Sequence, residues 1–464
     1  MSQATLFDPD LIRRYDGVGP RYTSYPTAPQ FSSQFGGAEL LKAIAESNED
    51  PIPRALSLYA HIPFCFSPCF YCGCNRIITR DADKKQDYLE NLLKEIRMLA
   101  PLFDRDREVV QLHLGGGTPN ALNIGQLAEL MKEFGRNFHF APERERDFSI
   151  EIDPRTVDVA DIGALRAIGF NRVSLGIQDF DPQVQQAINR LQDTDRIRDI
   201  FNACKANGFG SVNFDLIYGL PMQNTETFAA TLATVARIRP DRIALYSYAH
   251  MPELFKAQNK INVLSLPDPE RKLALFQLAV ETLMAEGYVY IGMDHFALPG
   301  DELTQAQASG DLHRNFMGYT TRKQTDLVGF GVSAISQIGD CYAQNAKDLP
   351  AWTACVQSGK PATVRGLRTH NDDRIRADVI QSIMCQGHLQ FDEIARRFGI
   401  VFADYFRDEL EQLPALTEDG LIALDSASLT VLPRGRLLLR VIASRFDAYL
   451  PKKTIPSELL QQAR

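Results

Sequence analysis

The chain has 464 residues, of which 45% are hydrophobic and 23% are charged, and its formal net charge is −8 at pH 7. This balance is typical of a soluble globular protein with two or more structural units, and the negative charge argues against a general nucleic-acid binder. No apolar run is long enough to predict a membrane span, and the first residues lack the pattern of a secretory signal. We therefore expect a cytoplasmic protein with reduced thiols.

Strand-like and helix-like segments alternate along the first half of the chain. Apolar runs typical of strands occur at residues 55–62, 109–114, 148–152, 172–177, 211–219 and 242–248. Between them, apolar residues recur at spacings of three and four, as in amphipathic helices, at 86–103, 124–138, 161–170, 193–209 and 225–238. The alternation predicts a parallel sheet or a (β/α) barrel, complete or partial, with functional loops at the carboxyl ends of the strands.

The pattern changes after the sixth strand-like run. A last strand-like segment at 288–299 leads into a polar stretch at 312–336. Beyond about residue 365, two helical patterns precede a two-stranded piece, LIALD then SLTVLP, and a final helix. That order resembles a winged-helix module, but the acidic charge makes DNA an unsuitable partner, so we interpret it as a lid or packing domain.

Half of the eight cysteines lie in the short segment HIPFCFSPCFYCGCN at 61–75, namely Cys65, Cys69, Cys72 and Cys74. Structural zinc sites usually combine two separated pairs, and no second pair follows here. A [4Fe–4S] cluster is held by thiolates from compact loops, and three ligands would leave one iron open. We interpret the scattered remaining cysteines as buried reduced thiols: Cys204, Cys341, Cys355 and Cys385.

Polar groups follow or close the other predicted strands. They are GGGTPN (115–120), EIDP (151–154), QDF (178–180), Asp215 inside the fifth strand, and Tyr248-Ala249-His250. The glycines expose backbone N–H groups that suit a carboxylate, an amine or a phosphate, although a plain turn stays open as an alternative. Because such strand ends meet at one edge of a parallel sheet, we expect these groups to converge on a site.

The spacing Cys-x3-Cys-x2-Cys after the first strand resembles the signature of the radical S-adenosylmethionine enzymes. The resemblance implies that Cys65, Cys69 and Cys72 hold a [4Fe–4S] cluster whose unique iron is chelated by S-adenosylmethionine. It also implies that GGGTP at 115–119 contacts the methionine end of that cofactor. Cys74 is left outside the ligand set, and its role is open.

Longer segments resemble the family of oxygen-independent coproporphyrinogen III oxidases along nearly the whole chain. They are GPRYTSYPTAPQF (19–31), YAHIPFC (59–65), CGCN (72–75), LHLGGGTPN (112–120), SIEIDPR (149–155), LGIQDF (175–180), NFDLIYGLP (213–221), GMDHFA (292–297), LHRNFMGYTT (312–321) and GVSAIS (331–336). The implied reaction decarboxylates two propionates of coproporphyrinogen III to vinyl groups, giving protoporphyrinogen IX in haem biosynthesis, by a 5′-deoxyadenosyl radical from S-adenosylmethionine. An unidentified reductant protein and an electron acceptor are implied partners.

The same resemblance implies two bound S-adenosylmethionine molecules and the residues that contact them. The first molecule is assigned Tyr59, Gly116, Glu151, Ala249 and Ile335. The second is assigned Gly117, Thr118, Gln178, Arg190 and Asp215, with Tyr71 where the family can carry another aromatic residue. We expect Tyr59, Cys74 and Arg21 to take part in catalysis, and we nominate Arg21, Arg314 and Asn315 for the substrate carboxylates.

These patterns predict an α/β fold, a partial (β/α)6 TIM-like barrel with an N-terminal extension and a mostly helical, winged-helix-like C-terminal domain. The resemblance divides the chain into an extension over the active site (1–50), the partial barrel (51–300), a closing segment (301–364) and the C-terminal domain (365–464). We expect a monomer. A haem-binding trafficking relative without oxidase activity remains the alternative, although such relatives generally lack the fourth cysteine, the extended N-terminus and the HRNFxGYTT stretch, all of which are present here.

Overall fold

The computed structural model describes residues 5–15, 17 and 19–450. These residues form two compact units. The sheet unit comprises residues 31–279 and 324–368, and the helical unit comprises the described residues of 1–30, 280–323 and 369–464. The four-part division expected from the sequence stays a prediction.

Six parallel strands form the centre of the sheet unit in chain order. They are β1 (Leu56–Ile62), β2 (Glu108–Gly116), β3 (Asp147–Ile152), β4 (Arg172–Gln178), β5 (Ser211–Tyr218) and β6 (Arg242–Ser247). Each strand pairs in parallel with the one before it. Strands covered on both faces read as nearly continuous apolar runs, which is why the sequence pattern detects them. The predicted α/β fold is confirmed.

Helices follow the strands, so each pair of strands is joined by a βα crossover. The helices of the sheet unit are Gly37–Asn48, Ala82–Leu99, Ile124–Asn137, Val159–Ala167, Pro182–Ala187, Thr194–Ala206, Thr225–Ile238, Pro269–Ala285 and Leu349–Gln357. The last residues of Pro269–Ala285 belong to the helical unit. Side-chain caps fix where several of them begin. Asp81 accepts hydrogen bonds from the backbone N–H groups of Asp83 and Lys84, so that helix starts four residues before its predicted start at 86.

The other side of β1 is occupied by a strand from late in the chain. Strand β7 (Asp326–Phe330) pairs with β1 in parallel, with Leu56 opposite Asp326. Three antiparallel strands continue the sheet from β7, namely β8 (Ile335–Ile338), β9 (Cys341–Asn345) and β10 (Thr363–Arg368). β1 is therefore central, with β2 on one side and β7 on the other.

The helical unit is built from short helices, at Pro9–Tyr15, Glu302–Ser309, Asn371–Gln381, Phe391–Phe398, Phe402–Tyr405, Arg407–Leu410, Pro414–Glu418 and Leu439–Ala443. A hairpin pairs His313–Asn315 with Gly318–Thr320. A small sheet contains His388–Gln390, Ser428–Val431 and Ile422–Leu424, so the predicted two-stranded piece gains a third strand.

The single strand predicted at 288–299 is wrong. Val289–Gly292 and His295–Ala297 form an antiparallel hairpin, and the chain turns at Met293, whose φ is 52°. A left-handed residue in the middle of an apolar run leaves no local signal, because methionine is not a typical turn residue. In the part of the chain that the structure describes, no helix has the length and apolar character needed to cross a membrane.

Candidate active site

The cysteine loop leaves the carboxyl end of β1 and is held by its own backbone. Phe64–Cys65 pairs in parallel with Ile77–Ile78. The N–H of Ile77 donates to the carbonyl oxygen of Pro63 at 2.6 Å, which closes the loop at its base. Inside the loop, the Arg76 guanidinium donates to the carbonyl oxygens of Cys69 (3.3 Å) and Cys72 (3.2 Å). These bonds fix the backbone that carries the thiols.

The thiols of this loop differ in their surroundings. Cys69 is buried, Cys65 and Cys72 are half-buried, and Cys74 is exposed. The Cys65 thiol is hydrogen-bonded to the Thr118 hydroxyl at 3.2 Å, and burial raises its pKa to about 11. Hydrogen bonding from Cys74, together with the charge of Arg76, lowers the pKa of Cys72 from 9.0 to about 6.

Two arginines reach the thiol of Cys69. Arg190 Nη1 lies 3.4 Å and Arg155 Nη2 lies 3.7 Å from its Sγ atom. Among the described residues, no three histidine, cysteine, aspartate or glutamate side chains converge closely enough to ligate a single metal ion. A [4Fe–4S] cluster is a larger body held by thiolates. Three thiols on one loop beside arginine charges therefore fit a cluster.

The glycine segment lets the end of β2 approach the start of the cysteine loop. The N–H of Gly117 donates to the carbonyl oxygen of Ile62 at 2.9 Å. A Cβ atom on Gly117 would lie 2.8 Å from the backbone of Pro63. On Gly116, whose φ is +116°, a Cβ would lie 2.6 Å from the His61 ring. The segment is thus a close backbone contact, and the cofactor contacts assigned to Gly116, Gly117 and Thr118 stay predictions.

Tyr59, Gly116 and Glu151 lie in one network. The N–H of Gly116 donates to Glu151 Oε2 at 3.2 Å, and His113 Nε2 lies 3.2 Å from Glu151 Oε1. The Tyr59 ring stacks on His113, with ring centroids 5.9 Å apart, and its hydroxyl is hydrogen-bonded to His61 Nδ1 at 3.0 Å. Burial alone would raise the pKa of Glu151, but the contacts with His113 and Gly116 lower it overall. A carboxylate is therefore fixed at the ends of β2 and β3.

His113 was missed by the sequence reasoning. It pairs with Tyr59 across β1 and β2, and with Ser149 across β2 and β3. Its Nδ1 is hydrogen-bonded to Ser149 Oγ at 2.6 Å. The sequence does carry a signal for it, because His113 is a polar residue between Leu112 and Leu114 of β2. Residues two apart in a strand face the same side, so His113 has to lie on the side of Gly115.

Arg190 is buried at the end of the sheet. Its Nη2 donates to the carbonyl oxygen of Gly176 at 2.6 Å, and its Nη1 lies 3.3 Å from Asp153 Oδ2. Asp153 also accepts from Arg155 Nη2 at 2.6 Å. The two arginines thus share one carboxylate beside Cys69. Asp153 and Arg155 lie in the SIEIDPR segment but were not among the predicted site residues, and the cofactor contact assigned to Arg190 stays a prediction.

The remaining cofactor residues lie at neighbouring strand ends of the sheet unit. Gln178 is buried at the end of β4 in a left-handed conformation with φ 68°, and Ile335 begins β8. Gln258 Nε2 donates to the carbonyl oxygens of Tyr71 (3.0 Å) and Ala249 (3.2 Å), which links the cysteine loop to the chain after β6. Their cofactor contacts stay predictions.

Asp215 on β5 is expected to make the fold less stable as the pH rises. Its carboxyl accepts from Ser174 Oγ and Asn213 Nδ2, both at 2.9 Å. Burial, together with the charge of Glu151, raises its pKa from 3.8 to about 7. An acid with a raised pKa stabilises the fold below its unfolded pKa, and this stability is lost as the pH rises through the folded pKa.

The variant Asp215→Asn lacks this titration. Between pH 5 and pH 8, the melting temperature of the parent protein is expected to fall relative to that of the variant. Thermal melts across this range measure the effect, and parallel curves for the two proteins would contradict it.

The residues nominated for the substrate lie in the helical unit. Arg21 forms an ion pair with Asp294. Arg314 is buried with its guanidinium carbon 4.6 Å from the centre of the Tyr319 ring, and Asn315 Oδ1 accepts from the N–H of Met317 at 2.8 Å. Their roles, and that of Cys74, stay predictions.

The parallel sheet and the three-cysteine loop at the end of its first strand define a radical S-adenosylmethionine protein. Residues 59–235 match the family model of the Radical SAM superfamily, and residues 369–438 match the HemN C-terminal domain.

Curated relatives and a solved structure match along nearly the whole chain. The oxygen-independent coproporphyrinogen III oxidase of Pseudomonas aeruginosa is 48% identical over 97% of this chain and 98% of that protein. The enzyme of that name from Escherichia coli K12 is 49% identical over 96% of each chain. The solved structure of coproporphyrinogen III oxidase (HemN) from Escherichia coli, a radical SAM enzyme, covers 97% of this chain and 100% of its own, with a TM-score of 0.91 and 48% identity. The chain belongs to the oxygen-independent coproporphyrinogen III oxidase family.

Proposed function

We propose that this protein converts two propionate side chains of coproporphyrinogen III to vinyl groups without oxygen, giving protoporphyrinogen IX for haem synthesis. The observation that carries the proposal is the end-to-end identity of 48 to 49% with relatives that bear the oxidase name. The haem-trafficking alternative is not favoured, because the relatives and the solved structure that match nearly end to end bear the oxidase name.

In this proposal Cys65, Cys69 and Cys72 hold the [4Fe–4S] cluster. When bound, the reduced cluster and S-adenosylmethionine would supply the radical chemistry that the protein lacks. The guanidinium groups of Arg155 and Arg190 offset the negative charge of the thiolates from the side of Cys69.

The first S-adenosylmethionine is assigned to the strand ends around Glu151. The Glu151 carboxylate is held by Gly116 and His113, which supports a role for Glu151 as acceptor for a ribose hydroxyl or an amino group of the cofactor. The assigned residues are Tyr59, Gly116, Glu151, Ala249 and Ile335. A second molecule is assigned to Tyr71, Gly117, Thr118, Gln178, Arg190 and Asp215, so equilibrium binding to the reconstituted protein is expected to give two molecules per chain.

The substrate and the redox partners make further demands. The four carboxylates of coproporphyrinogen III require cationic side chains, and we assign Arg21 this role, with Arg314 and Asn315 beside it. For each vinyl group formed, cleavage of S-adenosylmethionine would consume one electron, and the substrate would lose one hydrogen atom to the 5′-deoxyadenosyl radical, one CO2 and one electron. A reductant protein and an electron acceptor must therefore act with the enzyme, which we propose to be a cytoplasmic monomer.

Turnover by the reconstituted, reduced protein tests the function. Under strict anaerobiosis with S-adenosylmethionine, coproporphyrinogen III and an electron acceptor, we expect CO2, protoporphyrinogen IX and 5′-deoxyadenosine. If the cluster is intact but CO2 and protoporphyrinogen are absent, the oxidase proposal fails. Haem binding without turnover would instead support the trafficking role.

A further inference from the structure

Glu95 is a buried carboxylate in the sheet unit that no step of the proposed chemistry uses. It lies on the helix Ala82–Leu99, and three N–H groups donate to it. They are the Gly331 amide at 2.6 Å, Asn345 Nδ2 at 2.9 Å and Trp352 Nε1 at 3.1 Å. Burial of a carboxylate costs free energy unless its oxygens accept hydrogen bonds, so these three bonds hold Glu95 and its donors in a fixed arrangement.

Tyr88 lies two turns earlier on the same face of the helix. Its hydroxyl donates to the carbonyl oxygen of His61 at 2.6 Å and accepts from the N–H of Val332 at 3.2 Å. One hydroxyl therefore bridges the end of β1 and the turn after β7. We call residues 331–334 the closing turn.

The closing turn and β1 approach each other closely at Gly331. Its φ is +88°, and a Cβ atom there would lie 2.4 Å from the Tyr88 hydroxyl oxygen and 2.8 Å from the His61 carbonyl oxygen. On one side of this contact the chain runs to Ile335. On the other side, His61 is bonded to the Tyr59 hydroxyl and, through Nε2, to the carbonyl oxygen of Asn75 at the end of the cysteine loop.

We propose that Tyr88 and Glu95 are positioning residues that hold the closing turn against the end of β1, and so set the separation between Ile335 and Tyr59. This inference rests on the proposed function, in which Ile335 and Tyr59 contact the first S-adenosylmethionine. Glu95 fixes the turn through the Gly331 amide, and Tyr88 couples it to the strand that leads into the cysteine loop. Loosening either bond lets the two walls of the cofactor site move apart.

The variant Glu95→Gln tests the role of the carboxylate. The amide NH2 of glutamine would face an N–H donor on one side, so at least one of the three bonds is lost. The matched control is Glu133→Gln. Glu133 is also buried and accepts from Arg97, which lies on the helix of Glu95, at 2.8 and 3.0 Å, but its partners Arg97 and Asn137 lie outside the closing turn.

Hydrogen exchange of the protein without cofactors is the first readout. In Glu95→Gln, the amides of 331–336 are expected to exchange about tenfold faster than in the parent protein, while those of β2 and β3 do not change. In Glu133→Gln, exchange at 331–336 is expected to stay at the parent rate. Should Glu95→Gln fail to fold, Tyr88→Phe keeps the ring, removes the bond to His61 and is expected to give the same local signature.

Cofactor binding is the second readout. With full iron content, Glu95→Gln is expected to bind S-adenosylmethionine about tenfold more weakly and to form more 5′-deoxyadenosine per vinyl group, whereas Glu133→Gln matches the parent protein. Equal behaviour of the two glutamine variants in exchange and binding would overturn the inference. Failure of the parent protein to bind S-adenosylmethionine would instead overturn the proposed function, and the exchange result would still decide whether Glu95 and Tyr88 hold the turn.

Discussion

Cys65→Ala is expected to lose the iron–sulfur cluster and with it all turnover, whereas Cys74→Ala is expected to keep the cluster. The reason lies in how the loop presents its thiols. Cys65 is fixed by the strand pair with Ile77–Ile78 and by Thr118, while Cys74 is exposed and follows Cys72 by only two residues. A thiol two residues from a cluster ligand cannot easily reach the fourth iron of the cluster, and that iron has to stay open for S-adenosylmethionine.

Iron and sulfide analysis after anaerobic reconstitution measures this difference. The parent protein and Cys74→Ala are expected to hold about four irons per chain, and Cys65→Ala less than one. Cys355→Ala is the control, because this half-buried cysteine lies on the helix Leu349–Gln357, and it is expected to match the parent. Equal iron loss in Cys65→Ala and Cys74→Ala would show that the fourth thiol is a ligand.

Gly117→Ala is expected to push the end of β2 away from the cysteine loop. The added methyl group would lie 2.8 Å from the Pro63 carbonyl and 3.0 Å from the Phe64 oxygen, and these are backbone atoms that cannot rotate aside. Overpacking of this kind costs about 1–3 kcal/mol of unfolding free energy. Because Thr118 is displaced with its neighbour, the bond to Cys65 is lost as well, and iron retention is expected to fall.

Chemical denaturation and iron content measure both effects. Gly210→Ala is the matched control, since a Cβ there would meet its nearest atom, the Asn171 oxygen, at an ordinary 3.7 Å. The control is expected to keep its iron and to lose less than about 1 kcal/mol of stability. If Gly117→Ala is as stable as Gly210→Ala and holds as much iron, the close approach of Gly117 to the cysteine loop is not needed for stability or iron retention.

The strands of the sheet could be predicted because each carries its own apolar pattern. β3 was expected at 148–152 and lies at Asp147–Ile152, and β4 was expected at 172–177 and lies at Arg172–Gln178. The strand His388–Gln390 could not be found, since three residues hold no period and its partner lies at Ser428–Val431. Pairing between distant short segments leaves no trace in a local window.

The candidate site, too, could be predicted from the sequence only in part. Cysteine spacing is local, so the sequence alone suffices to predict three thiols as cluster ligands, and that assignment stays a prediction. The partners of those thiols come from other strands: Thr118 follows β2, and Arg155 and Arg190 follow β3 and β4. The strand-end rule predicts that such residues meet, but only the fold shows that Asp153 joins the two arginines.

The pairing of β1 with β7 has a consequence for the order of folding. β1 carries the cysteine loop, yet its second neighbour is encoded far downstream, with Leu56 opposite Asp326. Contacts between such distant residues form slowly, and during synthesis β7 leaves the ribosome long after β1 to β6. Until then, one edge of the first strand is unpaired and the closing turn does not exist. Completion of the site around the cysteine loop is therefore a late event, which follows synthesis of most of the chain.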